Sequence, residues 1–239
     1  MKTVFFTTGL LLTAGLLFSG CKKDEDKEPP VPPKPVCRTL TMTESSVTAS
    51  FVYDANKKVS RVAYSDGTLE EYTYKGDTTK ILRTTSGAFE FRKIITNNAD
   101  GMATQVRIEE NAAGTSGLII SYAYNGTELI QEVQKPIGSA TTTVTIYTFT
   151  AGNLTEVKSG ASVTTLEYSN KESQPGNYLE AVNVSQGYNI FKTKNLVKRI
   201  TQSGVSTEIT YTFNADNNIT SAVFSGSSTN SILFTYQCD

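Results

Sequence analysis

Beyond residue 37 the chain alternates. Ile209, Tyr211 and Phe213 are interleaved with Glu208, Thr210 and Thr212, so a strand here has one apolar and one polar face. A phrase of the same build recurs: two aromatics separated by one residue, a turn, then an apolar residue. It reads "FVYDANKKVSRV" from Phe51, "YTYKGDTTKI" from Tyr72, "YAYNGTELIQEV" from Tyr122, "YTFTAGNLTEV" from Tyr147 and "YTFNADNNITSAV" from Tyr211. Shorter copies are "FEFRKII" at Phe89, "LEYSNK" at Leu166 and "FTYQCD" at Phe234. The starts lie roughly 15 to 35 residues apart, except for the 45 between Leu166 and Tyr211, which signals a repeat architecture. Aromatic and β-branched residues favour strands. Asp66-Gly67, Asp100-Gly101, Asn125-Gly126 and Ala151-Gly152-Asn153 supply the left-handed conformations that tight hairpins need. No strong helical run stands out beyond the N-terminal apolar stretch. The pattern predicts an all-β antiparallel meander of repeated β-hairpins with about 14 to 18 strands. An open sheet that wide curls or splits, so a rolled or barrel-like sheet is expected.

One stretch breaks the rhythm. Asn170 to Lys194, "NKESQPGNYLEAVNVSQGYNIFKTK", carries a proline and alternates weakly. Long interruptions in compact domains are often functional. On one reading the stretch caps or plugs the sheet and presents Tyr178, Tyr188 and Phe191 to a ligand. On the other it is a connection covering one end of the core, which the burial habit of aromatics favours.

The N-terminus is different. Val4 to Phe18 is apolar or small throughout, and these 15 residues fall short of the roughly 20 a membrane-spanning helix needs. With Lys2 ahead and small residues behind, the stretch reads as an export signal. Phe18-Ser19-Gly20-Cys21 resembles the lipobox of bacterial lipoproteins, with Phe18 where that family usually has Leu. The resemblance implies removal of residues 1–20, acylation of Cys21 and anchoring to outer-membrane lipid. Lys22, Lys23, Asp24, Glu25 and Asp26 resemble the export tag of surface lipoproteins in the Bacteroidota, which implies the cell surface. A solvated spacer is the alternative. Pro29, Pro30, Pro32, Pro33 and Pro35 favour polyproline II, making residues 21–36 a semi-rigid tether. Residues 37–239 then form a single β-repeat domain.

Composition narrows the chemistry. With the signal removed, Lys2 is lost and the net charge moves from −1 to −2, so no basic face invites nucleic acid. Acylation of Cys21 leaves Cys37 and Cys238, at the two ends of the domain. An exported protein permits a disulfide between them, which would bring the first and last strands together; two buried thiols are the alternative. There is no histidine, which excludes Ser-His, Cys-His and His-metal arrangements. No metal or other cofactor is expected. Tryptophan is absent too, so sugar stacking would fall to the 12 Tyr and 11 Phe. Glu70-Glu71 and Glu109-Glu110 are neighbours on strands and point to opposite faces, so neither pair works jointly as acid and base. They read as solvated strand charges, and no catalytic residue is nominated.

The phrase Y-x-Y-D-x-N-x-x-V resembles the YD repeats of Rhs and teneurin shells. More closely it resembles the YD-like β-repeat surface lipoproteins of the Bacteroidota, a domain of unknown function. The segment "YNIFKTKNLVKRIT" at Tyr188 and the cysteines opening and closing the domain also match that family. The resemblance covers roughly residues 37–239 and brings no catalytic residues. It implies a non-catalytic binding or structural module at the outer membrane, with a glycan, peptide or protein ligand. The alternative is a carboxylate-dependent glycoside hydrolase. That would need two acids about 5–10 Å apart in a cleft, one with a raised pKa.

Overall fold

The computed structural model describes residues 36–226 and 228–238. The expected signal peptide, the lipidation site Cys21 and the tether up to residue 35 lie outside the described residues. Among those described, sixteen strands follow one another. They are β1 (Cys37–Glu44), β2 (Val47–Tyr53), β3 (Val59–Tyr64), β4 (Thr68–Lys75), β5 (Thr78–Thr85), β6 (Ala88–Asn97), β7 (Ala103–Glu109) and β8 (Gly117–Asn125). Then come β9 (Glu128–Pro136), β10 (Thr143–Thr150), β11 (Asn153–Ser159) and β12 (Ser162–Glu172). A helix, α1 (Tyr178–Gln186), precedes β13 (Asn195–Gln202), β14 (Val205–Phe213), β15 (Ile219–Ser225) and β16 (Thr229–Cys238). Each strand pairs antiparallel with the next, and β16 pairs with β1 to close the barrel. The all-β meander is as expected, and the roll is a complete closure.

The recurring phrase has a local cause. In the turn after Tyr53, the Asp54 carboxylate accepts the backbone N–H groups of Asn56 and Lys58, both at 2.9 Å. The Asn98 side chain does the same for Asp100 and Met102, at 3.0 and 2.9 Å. Asn214 accepts from Asn218 at 2.9 Å. In the copies at Phe51 and Tyr211 an Asp or Asn follows the aromatics because its side chain stands in for missing ladder partners across a five-residue turn.

The second aromatic of the phrase marks a ladder irregularity. Pairing shifts register at Tyr53, Tyr124, Phe149, Tyr168 and Phe213. A bulge leaves a ladder group without its partner. Tyrosine hydroxyls reach across to carbonyls at such places: Tyr53 to Thr39, Tyr74 to Val59, Tyr124 to Ala103, Tyr168 to Leu154 and Tyr236 to Ile219, all within 2.6–2.7 Å. The aromatic thus packs inward while its hydroxyl satisfies backbone.

The barrel is apolar inside and polar outside. Ile81, Ile95, Val106, Leu129, Leu154, Val197 and Ile219 are buried on the inner face, with the first aromatics Phe51, Tyr122, Tyr147 and Phe234. Ile209 is buried, and Tyr211 and Phe213 pack half-buried against the same core. The outer face carries exposed Glu71, Thr73, Lys80, Gln105, Lys158, Glu208 and Thr210. Large exposed apolar side chains such as Ile130, Val144 and Leu233 are scattered among these charges. A barrel that spans a bilayer has the reverse polarity, with an apolar outer band about 25 Å tall.

Two expectations are corrected. Residues 178–186 form a helix where no helical run was read. The pattern is weak because Leu179, Ala181 and Asn183 are all buried, so the helix has no clean polar face. Glu70 and Glu109 are not solvated. Alternation holds, since Glu71 and Glu110 are exposed. Glu70 points inward and pairs with Arg83 at 3.3 Å. Glu109 faces out, where Arg92 and Arg107 bind it and the loop at Gly114 covers it.

Cys37 and Cys238 are bridged by a disulfide, as expected, across a sequence separation of 201. Replacing both by Ser should lower unfolding free energy by up to roughly 5 kcal/mol, the chain-entropy value for so long a loop. Urea titration with and without reductant measures this, and coincident curves would remove the bridge's role. Tyr168→Phe leaves the Leu154 carbonyl without its hydroxyl donor and should cost about 1–3 kcal/mol in the same titration. An unchanged midpoint would mean that this bond contributes nothing.

Candidate functional site

The segment between β12 and β13 turns into the barrel and meets its inner wall on several sides. The Pro175 carbonyl accepts the Tyr236 hydroxyl at 3.0 Å. The Tyr178 ring meets Phe224 edge-on at 5.8 Å between centroids. The Gln186 carbonyl accepts from Lys93 Nζ at 2.8 Å. Ala103 N–H donates to the Asn189 carbonyl at 2.8 Å, and Lys194 N–H to Gly152 at 3.0 Å. Tyr188 packs on Tyr122 and Phe191 on Tyr147, with centroids 6.3 and 5.7 Å apart. Inside this plug, the Asn183 side chain accepts from Ile190 and Phe191 N–H and donates to the Phe191 carbonyl, which fixes the return of the chain. Asn177 donates to Ser173 and Thr193.

Two glycines set how closely the plug approaches. Gly187 ends α1 at φ +80°, and a Cβ there would lie 2.6 Å from Ile81 Cδ1 and 2.7 Å from the Tyr72 hydroxyl. At Gly176, φ +88°, a Cβ would lie 2.7 Å from the Tyr236 hydroxyl. Both positions combine left-handed backbone with contact to the wall, which excludes other residues without strain.

Between plug and wall lies a cavity of about 580 Å³. It opens at the barrel end that carries Cys37 and the turns near Lys58, Gly76 and Asn98. The wall contributes Phe51, Tyr53, Tyr72 and Tyr74; the plug contributes Glu180, Asn183, Val184, Gly187 and Tyr188. Arg38 lies over the Tyr53 ring at 5.7 Å and Lys58 over the Tyr74 ring at 4.8 Å.

Electrostatics follow from burial. Glu180 sits in the first turn of α1 and accepts the Gly176 N–H at 2.9 Å. Burial raises its pKa, and that hydrogen bond only partly opposes the shift. Burial, with Asp54 nearby, pushes the Tyr74 hydroxyl up to about 12. Deeper in, Tyr72 donates to Glu70 at 3.0 Å, and burial raises its pKa. Burial lowers Lys93, which Glu70 opposes. Tyr147 donates to buried Glu132 at 3.0 Å, so a second acid is held inside by a phenol. Among the described residues no three of His, Cys, Asp or Glu are grouped to hold a metal.

Of the aromatics picked out in the plug, Tyr188 lines the cavity, while Tyr178 and Phe191 pack half-buried on wall rings elsewhere. Tyr53, Tyr72 and Tyr74 belong to the recurring aromatic phrase, and nothing in the sequence singles them out as cavity walls. Sequence reasoning passed over Glu180, whose signal was an acid set between Leu179 and Ala181, both buried.

No protein-family model and no curated protein matches the chain. The fold defines a closed antiparallel β-barrel. It is similar to a porin-like protein from Bacteroides uniformis ATCC 8492 at 16% identity and a TM-score of 0.58, over 84% of this chain and 98% of that one. A porin-like protein from Bacteroides vulgatus ATCC 8482 aligns at 15% identity and 0.58, over 83% and 98%. At these identities the likeness is one of fold. A TcdB2–TccC3 structure aligns at 16% identity over 76% of this chain and 9% of its own, with a TM-score of 0.35, too low for a shared fold.

Glu180 gives a pH prediction. Its folded pKa lies above the unfolded value, so its contribution to stability is full below the unfolded value and lost as pH rises through the folded one. Wild type should therefore lose stability over that window relative to Glu180→Gln, which keeps a carbonyl for Gly176 N–H. Melting temperatures of both across acid to neutral pH measure this. Parallel curves would mean that the carboxyl is not perturbed.

Proposed function

We propose that this chain is a lipid-anchored outer-membrane lipoprotein, exposed at the cell surface, whose plugged barrel binds a ligand without catalysis. The anchor rests on Ser19-Gly20-Cys21 after a short apolar run, and surface exposure on the charged run that follows. The binding role rests on one observation: a cavity of about 580 Å³, in the range of small-molecule sites, walled by tyrosines whose hydroxyls are already engaged. The charged outer face and filled interior do not suit a conduit through a bilayer, so the porin-like fold is taken as a scaffold.

Metabolic labelling with a fatty-acid analogue should mark wild type and not Cys21→Ser; equal labelling would overturn the anchor. A glycan and peptide screen on the detergent-solubilised mature chain should find ligands lost in Val184→Phe, which fills the cavity from the plug. Ligands retained by a folded Val184→Phe would move the site elsewhere.

A second reading is favoured by one observation. Glu180, with its raised pKa, and Asp77 both line the cavity, and a carboxylate-dependent glycoside hydrolase would need two such acids about 5–10 Å apart. Turnover of chromogenic glycosides that both Glu180→Gln and Asp77→Asn abolish would replace binding with catalysis.

A further inference from the structure

We infer that the cavity takes a short neutral oligosaccharide stacked on tyrosine rings; this rests on the cavity being the binding site. The ring hydroxyls are committed to the wall. Tyr53 donates to Thr39 at 2.6 Å, Tyr74 to Val59 at 2.7 Å and Tyr72 to Glu70 at 3.0 Å. What these residues offer a ligand is ring surface, at Tyr53 and Tyr74 on the face that Arg38 and Lys58 leave uncovered, with the phenol oxygens left as acceptors only. The rings are fixed before the ligand arrives, so stacking against them orders little that is not already ordered. A sugar ring, with apolar C–H faces and a polar rim, suits such a wall.

Charge argues against an ionic ligand. The cavity carries two cations, Arg38 and Lys58, and two acids, Asp77 and Glu180. Both cations lie over tyrosine rings. Neither sign dominates, so neither a polyanion nor a polycation is selected. Glu180, on the plug side of the cavity, offers a carboxyl oxygen as acceptor to a sugar hydroxyl.

The closed sheet argues against an extended peptide. Peptides commonly bind sheets by adding a strand to a free edge. Here every strand is paired on both sides, β1 with β2 and β16 included, so no edge is offered. The main-chain groups of a peptide would find no free strand to pair with, whereas a sugar carries few polar atoms on its faces.

The test is saturation-transfer NMR on the detergent-solubilised mature chain. The probes are gluco-, xylo-, manno- and N-acetylglucosamine oligosaccharides, with polygalacturonate fragments and a tripeptide pool as comparators. At least one neutral oligosaccharide should bind. Tyr74→Ala should weaken it by about tenfold or more, and Tyr74→Phe, which keeps the ring, should restore most of the affinity. Thermal melting of each variant separates lost binding from lost folding. Silence from every neutral oligosaccharide overturns the inference. Uronate or peptide binding that Tyr74→Ala abolishes overturns the saccharide and leaves the cavity as the site. Neutral-sugar binding indifferent to both Tyr74→Ala and Val184→Phe overturns the saccharide site and the cavity reading together.

Discussion

Closure of sixteen strands is the constraint from which the rest follows. About eight strands enclose a space that wall side chains can fill, whereas sixteen to eighteen leave a channel. A water-filled channel would leave the inner apolar face wet and undo the burial that holds the sheet together. The chain meets this with large side chains and with its own interruption. Phe51, Tyr72, Tyr122, Tyr147 and Phe234 extend inward, and residues 173–194 enter to meet them. The irregular stretch is thus a packing requirement of the strand number. The cavity is the volume that plug and rings leave between them at one end.

The inward aromatics have a second duty. A long meander must bend at each repeat to close, and each bend disturbs the ladder. Tyrosine is the residue that both fills volume and donates a hydrogen bond at its tip. Where the phrase has Phe, as at Phe149 and Phe213, that donor is missing, and at Phe213 the Lys171 ammonium lies 3.4 Å from the ring centroid instead. The phrase repeats because the geometric problem repeats.

Much of this was legible in the residues. Period-two alternation and Asp, Asn or Gly turns are local signals, and they led to the meander directly. Cysteine arithmetic led to the joining of first and last strands. The helix was not legible, because Tyr178–Gln186 is short and held by tertiary contacts more than by propensity. The burial of Glu70 and Glu109 was hidden for a different reason. Their partners Arg83, Arg92 and Arg107 lie on the same or neighbouring strands in a register fixed only by pairing. Tyr53, Tyr72 and Tyr74 are part of the recurring phrase, but which of its rings face open volume depends on where the plug stops.

The bridge between the barrel's first and last strands bears on force as well as on equilibrium. A pull arriving through the residues before Cys37 would ordinarily peel β1 from the sheet one hydrogen bond at a time, the weakest way to load a strand. Cys37 is cross-linked to Cys238, its partner in β16, at the point where the load arrives. Tension therefore passes into both strands together, and neither can unzip from the other first. Failure would require the pair to tear away from β2 and β15 at once. Were the chain held by its N-terminus, as proposed above, the bridge would make that mount resist peeling.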